Sequence, residues 1–132
     1  MKTDFDVLDR LFPILNVAAV TETLGGGKVY RRKRPATSTA RDIVLVALSL
    51  SGDDNVQRGT FFVNCFAPNL ANGQPDETTL RATVAAVVAA LSGYSASSEY
   101  FAIELIAQSV FPDENSDQWS YASVRMNYLI EA

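Results

Sequence analysis

The sequence predicts an α+β domain in two layers, with two helices packed on a mainly antiparallel sheet of four to five strands. Three observations point there. Asp4–Leu15 and Glu77–Leu91 carry apolar residues at helical spacing. Two pairs of apolar, β-prone stretches are each joined by a short polar turn, which is how hairpins and antiparallel pairing are written in sequence. The order runs helix, short strand, hairpin, helix, hairpin, so two amphipathic helices can cover one face of one sheet. With 132 residues and 48% hydrophobic content, residues 1–132 have the size of one domain and too much apolar content for disorder.

Thr3 is the predicted N-cap of the first helix, with Asp4 and Asp6 in a first turn that favours negative charge. Phe5, Leu8, Leu11, Phe12 and Leu15 form its apolar face. Pro13 lacks an amide hydrogen and predicts an end or kink near Phe12. Val17–Leu24, with β-branched Val20 and Thr21, reads as the lead into a short strand. Gly25–Gly27 permit a tight turn. Lys28–Lys33 follows as a strand with Val29 and Arg31 on one face and Lys28, Tyr30 and Arg32 on the other. Neither face is purely apolar, so residues 25–35 are expected at a sheet edge or as a projecting arm.

Asp42–Leu50 is a strand apolar enough to be covered on both faces, Ser51–Asn55 a turn, and Val56–Ala67 the partner strand. Phe61, Val63 and Cys65 share one face of that partner, and Phe62, Asn64 and Phe66 the other. Asp76 caps the second helix, whose stripe is Leu80, Val84, Val87, Val88 and Leu91, with Arg81 and Thr83 off it. Gly93 is expected to close this helix and Tyr94–Glu99 to form a loop. Tyr100–Phe111 is a strand with Phe101, Ile103, Leu105 and Ala107 on one face. Pro112–Asp117 is an acidic turn, and Gln118–Ile130 the last strand, with Val124, Met126, Tyr128 and Ile130 inward.

Composition excludes much chemistry. The chain has no histidine, so the commonest general base and metal ligand are both missing. With one cysteine besides, a zinc site and a Cys–His or Ser–His nucleophile are ruled out, as is an internal disulfide. No paired carboxylates share a predicted face near a glycine-rich or basic site, so no catalytic residue, metal site or cofactor is expected. Acids at Asp4 and Asp6 break the pattern of a signal peptide, and the longest apolar-rich run, Thr83–Leu91, falls far short of the ~20 residues of a membrane span, so neither export nor a membrane partner is expected.

Against a formal net charge of -4, Lys28, Arg31, Arg32, Lys33 and Arg34 supply five of the 11 basic residues within one short stretch, with Tyr30 among them. These six residues are the candidate site. A solvated edge strand, a protein contact and a nucleic-acid contact with Tyr30 stacked on a base all fit. The acidic field of the whole chain weighs against the last. A phosphate-loop reading of Gly25–Lys28 fails, because Val29 stands where the hydroxyl residue belongs and a strand follows. Cys65 reads as a small core residue. Trp119 and Tyr121 read as packing or as binding aromatics, and Asp113, Glu114 and Asp117 as a solvated turn without the spacing of a calcium loop.

Taken together, the N-terminal helix, the strand KVYRR before a proline, the hairpin DIVLVALSL…QRGTFFVNCFAPN, the helix PDETTLRATVAAVVAAL and the pair QSVFPDE and SYASVRMNYLI resemble phage tail-completion proteins. This group comprises tail terminators, minor tail U-like proteins and head–tail joining proteins. The resemblance implies a non-enzymatic structural role in the virion tail, reached from the host bacterial cytoplasm before assembly. It implies a hexameric ring of this chain at the head-proximal end of the tail, which stops tube growth and docks the head connector. Lys28, Tyr30, Arg31, Arg32, Lys33 and Arg34 would then meet a neighbouring subunit's acidic surface, on the first helix or the 113–117 turn, or line a lumen through which DNA passes. The alternative is a small nucleic-acid-binding module using residues 28–34.

Overall fold

The computed structural model describes residues 3–48, 51–52, 56–97 and 101–131. The elements in chain order are α1 (Asp4–Leu15), α2 (Ala18–Thr21), a 3-10 turn (Glu22–Leu24), β1 (Val29–Arg31), β2 (Ile43–Ala47), β3 (Ser51–Gly52), β4 (Val56–Pro68), α3 (Glu77–Ser97), β5 (Phe101–Pro112) and β6 (Trp119–Glu131). The sheet runs β1-β2-β4-β6-β5, with β3 paired to the start of β4. All pairs are antiparallel except β1–β2. The fold is therefore the α+β class expected, mainly antiparallel, with helices on one face.

The core lies between that face and the helices. Leu8, Leu11 and Leu15 of α1 and Leu80, Val87 and Leu91 of α3 are buried. They belong to one apolar cluster with Ile43, Leu45, Phe61, Val63, Val124 and Met126 of the sheet. The strict alternation of burial along β4 and β6 follows from the two-residue period of a strand with one covered face. At Gly59, opposite Tyr128, a side chain would collide with the tyrosine ring, so glycine lets the Tyr128 ring lie across the neighbouring strand. That ring stacks on Phe101, 5.8 Å between centroids.

Several boundaries differ from the expectations. α1 does not stop near Phe12. It continues to Leu15, because Leu11 and Leu15 are both held in the core and Pro13 is exposed, where the unpaired carbonyl it leaves can be hydrated. The hydrogen bond that closes the helix, Asn16 N to Phe12 O, is intact at 2.8 Å. Phe5, expected on the apolar face, is 66% exposed, and Val7 is buried instead. Of the stretch Val17–Leu24, residues 18–24 are helical, not the lead into a strand, since Val20 and Leu24 are both buried one turn apart. Thr83 is buried, its hydroxyl donating to the Thr79 carbonyl at 3.4 Å.

α3 passes Gly93 and takes in the start of the expected 94–99 loop, up to Ser97. Tyr94 anchors the extra turn: its ring packs edge-on to Phe101 at 6.0 Å and its hydroxyl accepts from Arg10 Nε at 2.8 Å. Ser51 and Gly52, expected in a turn, pair with Arg58 and Gln57. The rest of that turn, and Ser49 and Leu50 of the preceding strand, lie outside the described residues. Ala107 does not share a face with Phe101, Ile103 and Leu105. The register shifts between Leu105 and Ala107, and that bulge turns the following residues over.

Candidate functional site

The six candidate residues sit on and beside β1, at one edge of the sheet. The strand is short because Arg32 takes a left-handed φ of 66°. Such a conformation costs a non-glycine residue roughly 1–2 kcal/mol and is kept only where the surroundings fix it. Here Arg32 N donates to Leu45 O at 2.6 Å and Lys33 N to Arg31 O at 2.7 Å. Just before β1, Gly25 and Gly26 hold positive φ, and a side chain on Gly27 would meet the Arg41 backbone. The glycine run thus lets the chain enter the sheet edge tightly.

From this edge the arginines reach back over their own chain. Arg31 pairs with Asp9 and lies 4.9 Å from the Phe12 ring centroid. Arg32 pairs with Asp4 at 2.9 Å and lies 4.8 Å from Phe5. Both pairs join β1 to α1 and are well exposed, so each contributes about 0–1 kcal/mol. Arg34 is different, with only 15% of its side chain exposed. Its guanidinium lies 4.3 Å from the Phe66 ring and 4.7 Å from the Trp119 ring. It donates to the Ala40 carbonyl at 3.3 Å and to Asp113 at 3.5 Å, and faces Asp42 at 4.0 Å. Asp42, itself buried, accepts from Lys28 N at 2.9 Å and from the Ser38 hydroxyl. A charge removed from water in this way needs a partner charge and hydrogen bonds, and it has both.

The strip is thus divided in two. Arg31, Arg32 and Arg34 meet carboxylates of the same chain, on α1 and in the 113–117 turn. Lys28 and Lys33 are exposed and have no carboxylate partner among the described residues. Tyr30 is half-buried and lies opposite Val44. Local sequence carries no signal for these pairings, because Asp9 lies 22 positions from Arg31 and Asp113 lies 79 from Arg34. Trp119 and Tyr121 are packed: Trp119 on Arg34, and Tyr121 with Phe66 at 5.1 Å and Phe111 at 5.7 Å.

A second surface was hidden from sequence reasoning. From Glu104 to Pro112 every residue of β5 is exposed, including Leu105 at 49%, Ile106 at 43%, Val110 at 39% and Phe111 at 45%. β5 is the far edge strand, paired with β6 alone. At its start, the Ile103 amide donates outward to the Ser95 hydroxyl of α3 at 2.9 Å. The uncovered face of the sheet beside β5 holds a shallow trough of about 680 Å³, lined by Leu48, Arg58, Thr60, Ala102, Glu104, Asn127 and Leu129 among others. The run FAIELIAQSVFP with a single acid is the one trace in sequence of this edge.

Chemically the described residues are quiet. They contain no group of His, Cys, Asp and Glu able to hold a metal ion. Burial pushes the Cys65 thiol up to about 12, far from a reactive thiolate at neutral pH. Burial, with the nearby Asp4 charge, raises the Tyr128 phenol to about 12 as well. No helix among the described residues is long and apolar enough to cross a membrane.

No family model matches the chain, and no curated protein matches it. Among solved structures, the chain is similar to one from the virion of a native gene transfer agent particle, at 16% identity over 92% of each chain with a TM-score of 0.71. A second solved chain is similar at 15% identity over 96% of this chain and 91% of that one, but its TM-score of 0.46 carries no argument. The first likeness is one of fold, and it takes in nearly the whole of both chains.

Proposed function

We propose that this chain is a non-enzymatic structural protein of a phage or phage-like virion, and that it completes the tail. In this reading six copies form a ring at the head-proximal end of the tail tube. The ring stops tube growth and offers the head connector a docking surface, and DNA passes through its lumen. The chain is made in the host bacterial cytoplasm and ends in the virion tail.

The observation that carries the reading is the likeness of fold to a chain of the gene transfer agent virion, with both chains covered almost end to end. The quiet chemistry agrees with a structural role. So does the exposed apolar edge at β5, which a solitary protein would be expected to blunt. On this reading Lys28, Tyr30 and Lys33, with the outer sides of Arg31 and Arg32, belong to a subunit interface or to the lumen, and Arg34 shapes that edge from within.

Purified protein mixed with tail tubes of the particle that encodes it tests this. Electron microscopy should show added density at one end only, and tubes should then no longer elongate when tube protein is supplied. Tubes that keep growing, with the protein unbound, would sink the proposal.

A further inference from the structure

We infer that the outer edge of β5 is the seat for the β1 edge of a second copy of this chain, so that successive copies join edge to edge into one continuous sheet. The inference rests on the ring reading and names its interface. The two edges are unlike each other, so the contact is heterologous and propagates from copy to copy, which is what ring closure requires.

Strand direction fits. β1 runs parallel to β2, and the antiparallel steps from β2 through β4 and β6 leave β5 running opposite to β1. A β1 edge set beside β5 of the next copy therefore pairs antiparallel, with the short run Val29–Arg31 meeting the stretch of β5 beyond Ile103. Beyond the Ser95 contact at Ile103, no strand among the described residues covers the outer side of β5.

Charge selects the occupant. The only charged residue of β5 is Glu104, which is exposed. The β1 edge is flanked by Lys28 and Lys33, the two bases of the strip that have no carboxylate partner among the described residues. The arginines of the strip are already neutralised by Asp4, Asp9 and Asp113, so the lysines remain for a neighbour. Apolar surface matches too. Phe5, 66% exposed under Arg32, borders the β1 edge on the helix side, and Leu105 and Val110 face that same side of β5. A second β5 offers Glu104 no base, which favours the β1 edge over a symmetric dimer.

The test uses the full chain in two altered forms, with mass measured by multi-angle scattering up to millimolar protein. Leu105→Lys with Val110→Lys places lysines at already exposed positions of the edge and should weaken association by at least about 100-fold. Its circular dichroism and melting should stay unchanged. Lys28→Glu with Lys33→Glu should also weaken association, and mixing that form with a Glu104→Lys form should restore it. A mixture of the β5-blocked chain with unaltered chain should give capped, shorter assemblies. Rings that persist in both altered forms would overturn this interface and leave the ring reading standing. A symmetric dimer through β5 would overturn the interface likewise. An unaltered chain that stays monomeric at every concentration would remove the ring reading, and this inference with it.

Discussion

At the scale of single residues, the basic strip shows how differently neighbouring arginines can be used. Arg31 and Arg32 form exposed pairs that fasten β1 to α1, and their loss is mild. Arg34 is enclosed by two aromatic rings and faces two acids, one of them Asp42, which is 1% exposed. Arg34→Ala should therefore cost about 3–5 kcal/mol in urea unfolding, because it strands the buried Asp42 charge. Arg34→Lys should recover only part, since an ammonium cannot lie flat between the rings and donate in two directions at once. A loss below about 1 kcal/mol would show that the cluster is no more than a surface pair. Tyr128 offers the opposite case. Its hydroxyl is buried with no hydrogen-bond partner among the described residues. Tyr128→Phe keeps the ring on Phe101 and removes the orphan group, so stability should rise by about 1–3 kcal/mol, read from the same urea midpoint.

At the scale of elements, caps and periods were legible and edges were not. Thr3 and Asp6 form the reciprocal cap that opens α1, and Asp76 opens α3 by accepting from Thr79 N at 3.2 Å and Thr79 Oγ1 at 2.7 Å. The Thr79 side-chain and backbone hydrogen bonds hold the Asp76 carboxyl below its usual pKa of 3.8. The sign follows directly: the folded chain holds the ionised form better, so this contribution is present above pH 3.8 and is lost as pH falls through the lowered value. Asp76→Asn should keep the cap at neutral pH yet flatten the acid limb of a melting-temperature profile below pH 4, and an unaltered limb would refute the assignment. The buried faces of β4 and β6 could be read because a two-residue period survives whenever one face is covered. The reading failed at Gly93 because a tertiary anchor, Tyr94, outweighs a local helix breaker, while α1 keeps its expected span to Leu15 despite Pro13. It failed along β5 because a bulge resets the alternation, and nothing local marks where one extra residue is inserted.

At the scale of the whole molecule, the fold class could be read because hairpin order and helix periodicity limit the arrangements a single core allows. The placement of the candidate site could be read only as an edge. Which bases face outward depends on acids far away in the chain, and only the closed fold brings Asp4, Asp9 and Asp113 to the strip. The strand order has a further consequence, for synthesis. β6 is the last strand of this sheet in chain order, yet it lies between β4 and β5 and pairs with both along nearly its full length. Until it emerges, the nascent chain holds a partial sheet of β1, β2, β3 and β4 and a lone β5 with nothing between them. The domain should therefore become protease-resistant only after residues 119–131 have emerged, and a stalled chain lacking them should be digested as fast as an unfolded one. A cell making this protein must shelter an unclosed sheet, and folding begins in earnest once β6 has emerged.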